Sequence, residues 1–136
     1  MARRNQNFEV YRGDNFTLVA NILDAESLTG YKAQWIVFTR SIDGNVHTIT
    51  RHLTLTTSGH FNSSGVPGQF VNGGITFHDN TVHIEVTSAM YGNLGSSNTE
   101  VEFDHQLKLY DGDDVDAVSA SGKIKVLKPS PTANLL

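Results

Sequence analysis

Apolar and polar residues alternate along much of this chain, and that period of two constrains the fold more than any other feature of the sequence. In residues 15–23 the apolar positions recur at every second residue: Phe16, Leu18, Ala20 and Ile22. Successive side chains of a β-strand point to opposite faces, so the pattern indicates a strand with one buried face. Four threonines at positions 48, 50, 54 and 56 favour the same extended backbone, because β-branched side chains suit a pleated sheet.

Strand-like segments follow one another at short intervals, with turn residues between them. They comprise residues 15–23, 32–40, 47–55, 74–78, 81–86, 100–110 and 117–127. Residues 32–40 are apolar on both faces, which predicts a central strand. Asp79 and Asn80 tolerate positive φ and predict a tight hairpin turn. Only residues 87–94 favour a helical turn. The order predicts an all-β fold: an antiparallel, immunoglobulin-like β-sandwich of about seven or eight strands with at most one short helical turn.

The third segment, residues 47–55, receives a specific prediction about its faces. A regular strand would place four of its residues on one side: Ile49, Arg51, Leu53 and Leu55. That arrangement follows from the period of two alone.

Two segments interrupt the strand pattern. Residues 56–74 contain five glycines and a proline, which predicts a long loop in which Phe61 and Phe70 are either buried or offered to a partner. Residues 128–136 contain two prolines and end in two leucines, which predicts an extended arm rather than a strand. The predicted organisation is a single domain over residues 1–127 and a C-terminal arm over residues 128–136.

Charge and cysteine content exclude several classes of function. The chain has a formal net charge of -4 and no cysteine. A negative chain lacks electrostatic attraction to nucleic acid or to an anionic membrane, so neither is an expected partner. No apolar run is long enough for a signal peptide or a membrane span. The lack of cysteine removes disulfides, thiol nucleophiles and cysteine-based zinc sites.

Two sets of residues raise the question of a metal site. One predicted hairpin loop carries four carboxylates: Asp111, Asp113, Asp114 and Asp116. Calcium favours such oxygens, but the spacing does not fit an EF-hand, and aspartate with glycine is also usual in turns. His78 and His83 flank the predicted hairpin turn, yet the sequence nominates no third zinc ligand. A solvated turn is the simpler interpretation of the acidic loop, with calcium as the alternative, and no metal-binding residue is predicted.

The other histidines receive structural interpretations. His105 interrupts an apolar strand face, which predicts a hydrogen-bonded and partly buried side chain. The simplest interpretation of the remaining three is a surface position: His47, His52 and His60.

No catalytic arrangement emerges from the sequence. No serine lies in a nucleophile elbow. Glu100 and Glu102 share one predicted strand face at about 7 Å, a separation compatible with glycoside hydrolysis, but outward acids on a strand are usually solvated. The sequence therefore predicts a protein that is not an enzyme, with no catalytic or cofactor-binding residues and no cofactor.

Residues 12–14 spell Arg-Gly-Asp, a tripeptide known from cell adhesion. Adhesion requires the tripeptide at the tip of an exposed loop. Gly13 instead lies between the strand-like residues 8–11 and 15–23, which predicts a tight turn in which Asp14 bonds nearby backbone amides.

The order of these features resembles a family of small β-sandwich domains from virion proteins of tailed bacteriophages, which includes the N-terminal domain of baseplate upper proteins. The resemblance covers most of residues 8–127. Its matching positions are Arg12, Gly13, Asp14, Phe16, Leu18, Asp24, Leu28, Thr29, Gly30 and Trp35. Residues 74–94 and 101–126 are more loosely similar to the later strands and closing hairpin of the family.

The resemblance implies a non-enzymatic structural protein, present in many copies in a phage virion and assembled in the bacterial host cytoplasm. Its expected partners are other virion proteins and copies of itself, contacted through residues 56–74 and 128–136. The resemblance favours the tail, baseplate or fibre-attachment region, whereas the short stand-alone chain favours a capsid decoration protein. A carbohydrate-binding module is a third alternative, for which a line of exposed aromatic side chains would be needed.

Overall fold

A computed structural model describes residues 4–22, 28–59, 61–95, 99–111 and 114–128, with side chains described from residue 6 onward except at 114–119. These residues form ten strands and one 3₁₀ helix. The strands are β1 (Arg4–Asn5), β2 (Phe8–Tyr11), β3 (Phe16–Asn21), β4 (Tyr31–Asp43), β5 (Val46–Thr57), β6 (Gln69–Asn72), β7 (Gly74–His78), β8 (Thr81–Val86), β9 (Val101–Asp111) and β10 (Asp114–Leu127). The 3₁₀ helix spans Ser88–Asn93.

The strands form one curled, mixed sheet. Its order is β1-β10-β9-β4-β5-β7-β8-β3, with β2 also beside β10 and β6 also beside β5. Strands β1 and β2 run parallel to β10, and β6 and β7 run parallel to β5. The predicted all-β class is confirmed. The finer expectation of an antiparallel, immunoglobulin-like sandwich is not, because the pairing is mixed and joins all ten strands in one sheet.

The main core lies inside the curl of the sheet. Strands β3 and β8 are far from β9 and β10 in the sheet order, yet one small cavity of about 10 Å³ is lined by Leu18, Ala20, Trp35, Leu107 and Ala120. These side chains belong to one buried apolar cluster, so the two ends of the sheet face each other. The alternation predicted for residues 15–23 is confirmed, since Leu18 and Ala20 are buried while Thr17 and Val19 are exposed.

Strand β4 is central, as predicted. Residues 33–38 are all buried, which means that both faces of the strand are covered. Part of the outer cover comes from the glycine-rich connection: the ring of Phe61 lies edge-on to Tyr110 of β9, 5.3 Å between centroids. The ammonium of Lys32 lies 5.7 Å from the same ring.

The prediction of a continuous loop over residues 56–74 is wrong at both ends. Strand β5 continues to Thr57, and β6 and the start of β7 occupy residues 69–74. Gly68, at φ +79°, passes so close to β5 that a Cβ there would lie 2.6 Å from the Arg51 carbonyl oxygen. The connection therefore packs against its own sheet, with Phe61 and Phe70 both half-buried.

The predicted turns are present. Asp79 adopts a φ of 55° in the hairpin between β7 and β8. The 3₁₀ helix forms within residues 87–94, as predicted. Its N-cap residue, Thr87, makes no side-chain capping bond, and the first-turn amide of Ser88 donates to Asn15 Oδ1 at 2.7 Å. The predicted arm lies outside the described residues from position 129 onward.

The N-terminal strands cover the β10 edge of the sheet. Their approach depends on Gly122, because a Cβ at that position would collide with the Gln6 carbonyl group. The Gln6 amide donates to the Ser121 carbonyl at 2.8 Å, and the Lys123 amide donates to Asn7 Oδ1 at 2.9 Å.

Candidate functional site

The ends of β4 and β5 leave the rest of the sheet and form a two-stranded ribbon, residues 39–50. Strand β9 pairs with β4 only as far as Phe38, and β6 pairs with β5 only from Leu53 onward. Every residue from 40 to 50 is exposed. Among the described residues, three of the five large exposed apolar side chains lie here: Ile42 (63%), Val46 (63%) and Ile49 (58%). These side chains make the ribbon a candidate docking surface.

The ribbon has two faces of different chemistry. Residues directly opposite one another in an antiparallel pair share a face, and the register pairs Arg40 with Ile49 and Ile42 with His47. These four residues form the aliphatic face. The opposite side, the threonine face, carries Thr39, Ser41, Asp43, Val46, Thr48 and Thr50.

A β-bulge at the base of the ribbon separates its faces from those of the core. The register shifts between Val37 and Phe38, so that Val37 pairs with Leu53 while Phe38 pairs with Arg51. The sequence prediction that Ile49 and Leu53 share a face is therefore wrong. The extra residue in β5 exposes Ile49 while Leu53 remains fully buried.

His52, the extra residue of the bulge, anchors the ribbon to the core. Its Nε2 lies 2.8 Å from Thr39 Oγ1, and its ring contacts Phe103 edge-on at 5.1 Å. Burial lowers the pKa of His52 below its ordinary value. His52 is therefore half-buried rather than fully exposed, whereas His47 on the ribbon is exposed as predicted. His60 lies outside the described residues.

The Arg-Gly-Asp tripeptide forms a turn, and its arginine is an internal anchor. The Arg12 guanidinium is buried and donates to the carbonyl oxygens of Leu94 at 2.7 Å and Tyr91 at 3.3 Å. Gly13 has a φ of 91°, as the predicted turn requires. Asp14 is exposed and takes part through its backbone: its amide donates to the Tyr11 carbonyl, and its carbonyl accepts the Tyr91 hydroxyl at 2.9 Å. The arginine is not available to a receptor, and sequence reasoning missed its burial.

His105 is hydrogen-bonded and buried, as predicted. Its Nδ1 accepts the indole N–H of Trp35 at 3.2 Å, and its Nε2 donates to the Gln6 carbonyl at 2.7 Å. These two bonds fix the neutral tautomer with the proton on Nε2. Desolvation lowers the pKa of His105, partly opposed by the Gln6 bond and by the charge of Asp104.

The structure describes one of the two candidate metal sites, the histidine pair, but not the side chains of most of the acidic loop. The rings of His78 and His83 do meet, with centroids 4.3 Å apart. Within the described part of the chain, however, no three histidine, aspartate or glutamate side chains lie together as metal ligands. Gly112 and Asp113 of the acidic loop lie outside the described residues, as do the side chains of Asp114 and Asp116, so the calcium alternative remains a prediction.

The surface acids are paired with lysines across neighbouring strands. Lys125 stands opposite Glu9 of β2 and Glu102 of β9, and its Nζ lies 3.5 Å from Glu100 Oε1. Both glutamates of the proposed glycosidic pair are exposed. Such alternating charges stabilise the surface of a sheet modestly, which is the solvated role predicted for them.

One open groove lies beside the base of the ribbon. It has a volume of about 330 Å³, and its lining includes Phe38, Arg40, Asp104, Gln106 and Lys123. The ion pair between Lys123 and Asp104, 2.6 Å, occupies part of its polar wall. The groove is wide and polar, and two of the charged groups on its wall, Lys123 and Asp104, already pair with each other.

Comparison with protein-family models and curated proteins assigns no family to this chain. No protein-family model matches the chain, and no curated protein matches it. The one helix of the described residues is a six-residue 3₁₀ helix, so none of the described helical structure is long and apolar enough to cross a membrane.

Proposed function

We propose that this chain is a non-enzymatic structural subunit of a tailed bacteriophage virion, present in many copies, which docks in the tail, baseplate or fibre-attachment region. Two independent arguments support the proposal. The projecting ribbon of residues 39–50 supports a docking function. The resemblance of residues 8–127 to phage β-sandwich domains supports the virion.

The ribbon carries the docking argument because it gains little from its own protein. A two-stranded hairpin without a covering layer is at best marginally stable in water. Residues 40–50 are exposed throughout, so the aliphatic face has no cover among the described residues. Contact with another subunit would bury Ile42 and Ile49, and each such side chain contributes about 1.5–3 kcal/mol when fully buried.

The ribbon changes which segment of this chain makes the expected contacts. The sequence favoured residues 56–74 as an element that reaches into neighbouring subunits. In the structure Phe61 lies against Tyr110 and Gly68 lies against β5, so this connection is engaged within its own chain. The ribbon of residues 39–50 is therefore the segment that we expect to contact neighbouring subunits.

The alternatives are separated by location and by ligand. A capsid decoration protein would use the same ribbon on the head surface, and electron cryomicroscopy of particles would show icosahedral copies there rather than a ring on the tail. A carbohydrate-binding module would need several exposed aromatic rings. Among the described residues the only large aromatic side chain that is clearly exposed is Tyr11, at 43%.

A shortened ribbon tests the docking function directly. Arg40 and Ile49 stand directly opposite each other, so residues 41–48 can be replaced by Asn-Gly, a two-residue turn that suits antiparallel strands. A matched variant keeps the length and substitutes Ile42→Thr, Val46→Thr and Ile49→Thr. Both variants should fold, as judged by circular dichroism and cooperative unfolding, and both should fail to enter particles.

Two results would contradict the proposal. Incorporation of the shortened variant at the wild-type level would show that the ribbon is not the docking element. Absence of the wild-type protein from purified particles would remove the virion assignment, whatever the ribbon does.

A further inference from the structure

The β5 side of the ribbon is an unpaired strand edge. Strand β6 pairs with β5 only from Leu53 onward. Gly68 covers the edge at Arg51 and His52, so closely that an added Cβ would lie 2.6 and 2.8 Å from their carbonyl oxygens. From Val46 to Thr50 no strand of the described residues pairs with this side of β5. Half of the backbone N–H and C=O groups of that stretch therefore point away from β4, where no strand of the described residues pairs with them.

Residues 46–50 of this edge lack the features that normally prevent strand addition, since the bulge of β5 lies outside them, at His52. Proteins protect free edges with lysine or other charges, with proline or with bulges. Residues 46–50 read Val-His-Thr-Ile-Thr, which includes no lysine, arginine, acid or proline, and four of the five are β-branched. The opposite edge of the ribbon, on β4, is different because it carries Arg40 and Asp43. The two edges thus differ in their readiness to accept another strand.

We propose that the β5 edge pairs antiparallel with the same edge of a second copy of this chain, about a two-fold axis at Thr48. Val46 would then oppose Thr50 of the second copy, His47 would oppose Ile49, and Thr48 would oppose Thr48. Each of these pairs is between residues that strands accept well.

Charge placement favours this self-pairing. In the combined four-stranded ribbon, β4 of each copy is an outer strand, so Arg40 and Asp43 stay on the outside and no like charges stand directly opposite. The aliphatic faces of the two copies become continuous, with Ile42 and His47 of one copy in a row with Ile49 and Arg40 of the other. A two-fold contact also uses the same patch on both copies, the commonest arrangement in homo-oligomers.

The contact is small, which fits a repeated subunit better than a free dimer. Five residues from each copy cover well under the roughly 800 Å² per partner of a standard stable interface. Such pairing would be weak between free chains and strong where other contacts hold many copies close together. The inference therefore rests on the proposed function, since it assigns the ribbon its partner.

Single cysteines provide a sharp test because the chain has no cysteine of its own. The two-fold axis places the Thr48 Cα atoms about 4.5–5.5 Å apart, within the range for a disulfide of about 4.4–6.8 Å. Ser41 is the matched control: it stands opposite Thr48 on the same face, but its copies would lie about 14 Å apart across three strand spacings.

The experiment oxidises Thr48→Cys and Ser41→Cys in a glutathione buffer, both as free protein at roughly millimolar concentration and in particles. We expect on the order of tenfold more disulfide dimer for Thr48→Cys, because paired thiols meet at high effective concentration. A mixture of Val46→Cys and Thr50→Cys chains should also form mainly the mixed dimer, since only that combination is in register.

Equal dimer yields from Thr48→Cys and Ser41→Cys would overturn the self-pairing. So would preferential cross-linking without the mixed Val46–Thr50 product, because the register would then be wrong. If self-pairing fails while the shortened ribbon still blocks incorporation into particles, the ribbon docks on a different protein and the proposed function stands. If the cysteines cross-link but the protein is absent from particles, the ribbon is a self-assembly element outside a virion.

Discussion

Replacement of Arg12 by methionine would remove a buried cation while it keeps most of the apolar stem. The guanidinium donates to the Leu94 carbonyl at 2.7 Å and, at longer range, to those of Tyr91 at 3.3 Å and Gly95 at 3.4 Å. These carbonyls lie at the C-terminal end of the 3₁₀ helix, where partial negative charge accumulates. The side chain thus ties the turn after β2 to the segment that precedes β9.

The cost of the substitution follows from these bonds. One short hydrogen bond from a charged donor contributes about 1.5–3 kcal/mol, and a buried carbonyl left without a partner costs a further 1–3 kcal/mol or so. Against this, Arg12 Nε is buried without a partner, so its removal relieves a small penalty. We expect Arg12→Met to lower the free energy of unfolding by about 3–4 kcal/mol, a large share of the total for a domain. Arg12→Lys, which keeps the charge and loses the fork of donors, should cost about half as much.

Urea unfolding followed by Trp35 fluorescence measures the effect. The matched control is Arg40→Met, since Arg40 is exposed on the ribbon and its loss should change the free energy of unfolding by less than about 0.5 kcal/mol. If Arg12→Met and Arg40→Met agree within that margin, the buried guanidinium does not stabilise the fold and the reasoning is refuted.

Three further predictions concern backbone approach and titration. Gly68→Ala should lower the free energy of unfolding by about 3 kcal/mol or more, and Gly13→Ala by only about 1 kcal/mol. Both glycines have positive φ, but of the two only Gly68 would place an added Cβ against backbone atoms. Equal losses in urea unfolding would show that the positive φ alone sets the cost. Because the pKa of His105 is lowered in the folded protein, the unfolded chain binds a proton at this residue more readily. The contribution of His105 to stability is therefore complete above pH 6.5 and is lost as the pH falls below that value. His105→Gln should flatten this pH dependence of stability, and an NMR titration that gives His105 its ordinary pKa would contradict the prediction. Burial, with the charge of Asp14, raises the pKa of Tyr91 to about 12 against the opposing charge of Arg12, so stability should decline as the pH rises from 10 to 12; the last component of the phenolate absorbance should disappear in Tyr91→Phe, and its persistence would assign it to another tyrosine.

The strands were predictable where burial on one face repeats along the chain. Leu18 and Ala20, and later Phe103 and Leu107, alternate with exposed or half-exposed positions in the structure, and the sequence shows the same period. The β7–β8 hairpin was predictable because its turn is encoded locally, at Asp79 and Asn80. Both features depend only on residues close together in the sequence.

The mixed pairing and the ribbon were not predictable in the same way. A period of two in the sequence indicates that one face of a strand is buried, but it does not indicate which strand lies beside that strand in the sheet. The parallel pairing of β5 and β10 with their neighbours therefore could not be predicted from the local sequence. Residues 46–50 alternate like a half-buried strand, yet they are exposed because β9 pairs with β4 only as far as Phe38 and no strand of the described residues pairs with the outer side of β5 there. Arg12 gave no sign of burial either, since its three acceptors lie about eighty residues later in the chain.

The placement of β1 and β2 has a consequence for how the chain is made. The earliest described strands of this domain pair with its last described strand: Arg4 lies beside Ala120, and Phe8 lies beside Ile124. Closing so long a loop is entropically costly and slows folding. During synthesis β1 and β2 therefore stay unpaired until β10 has been made. Until β1 and β2 pair with β10, this strand has an unprotected edge. The first dozen residues act as the final closure of the fold, so a truncation there should impair late folding and solubility more than the formation of the other strands.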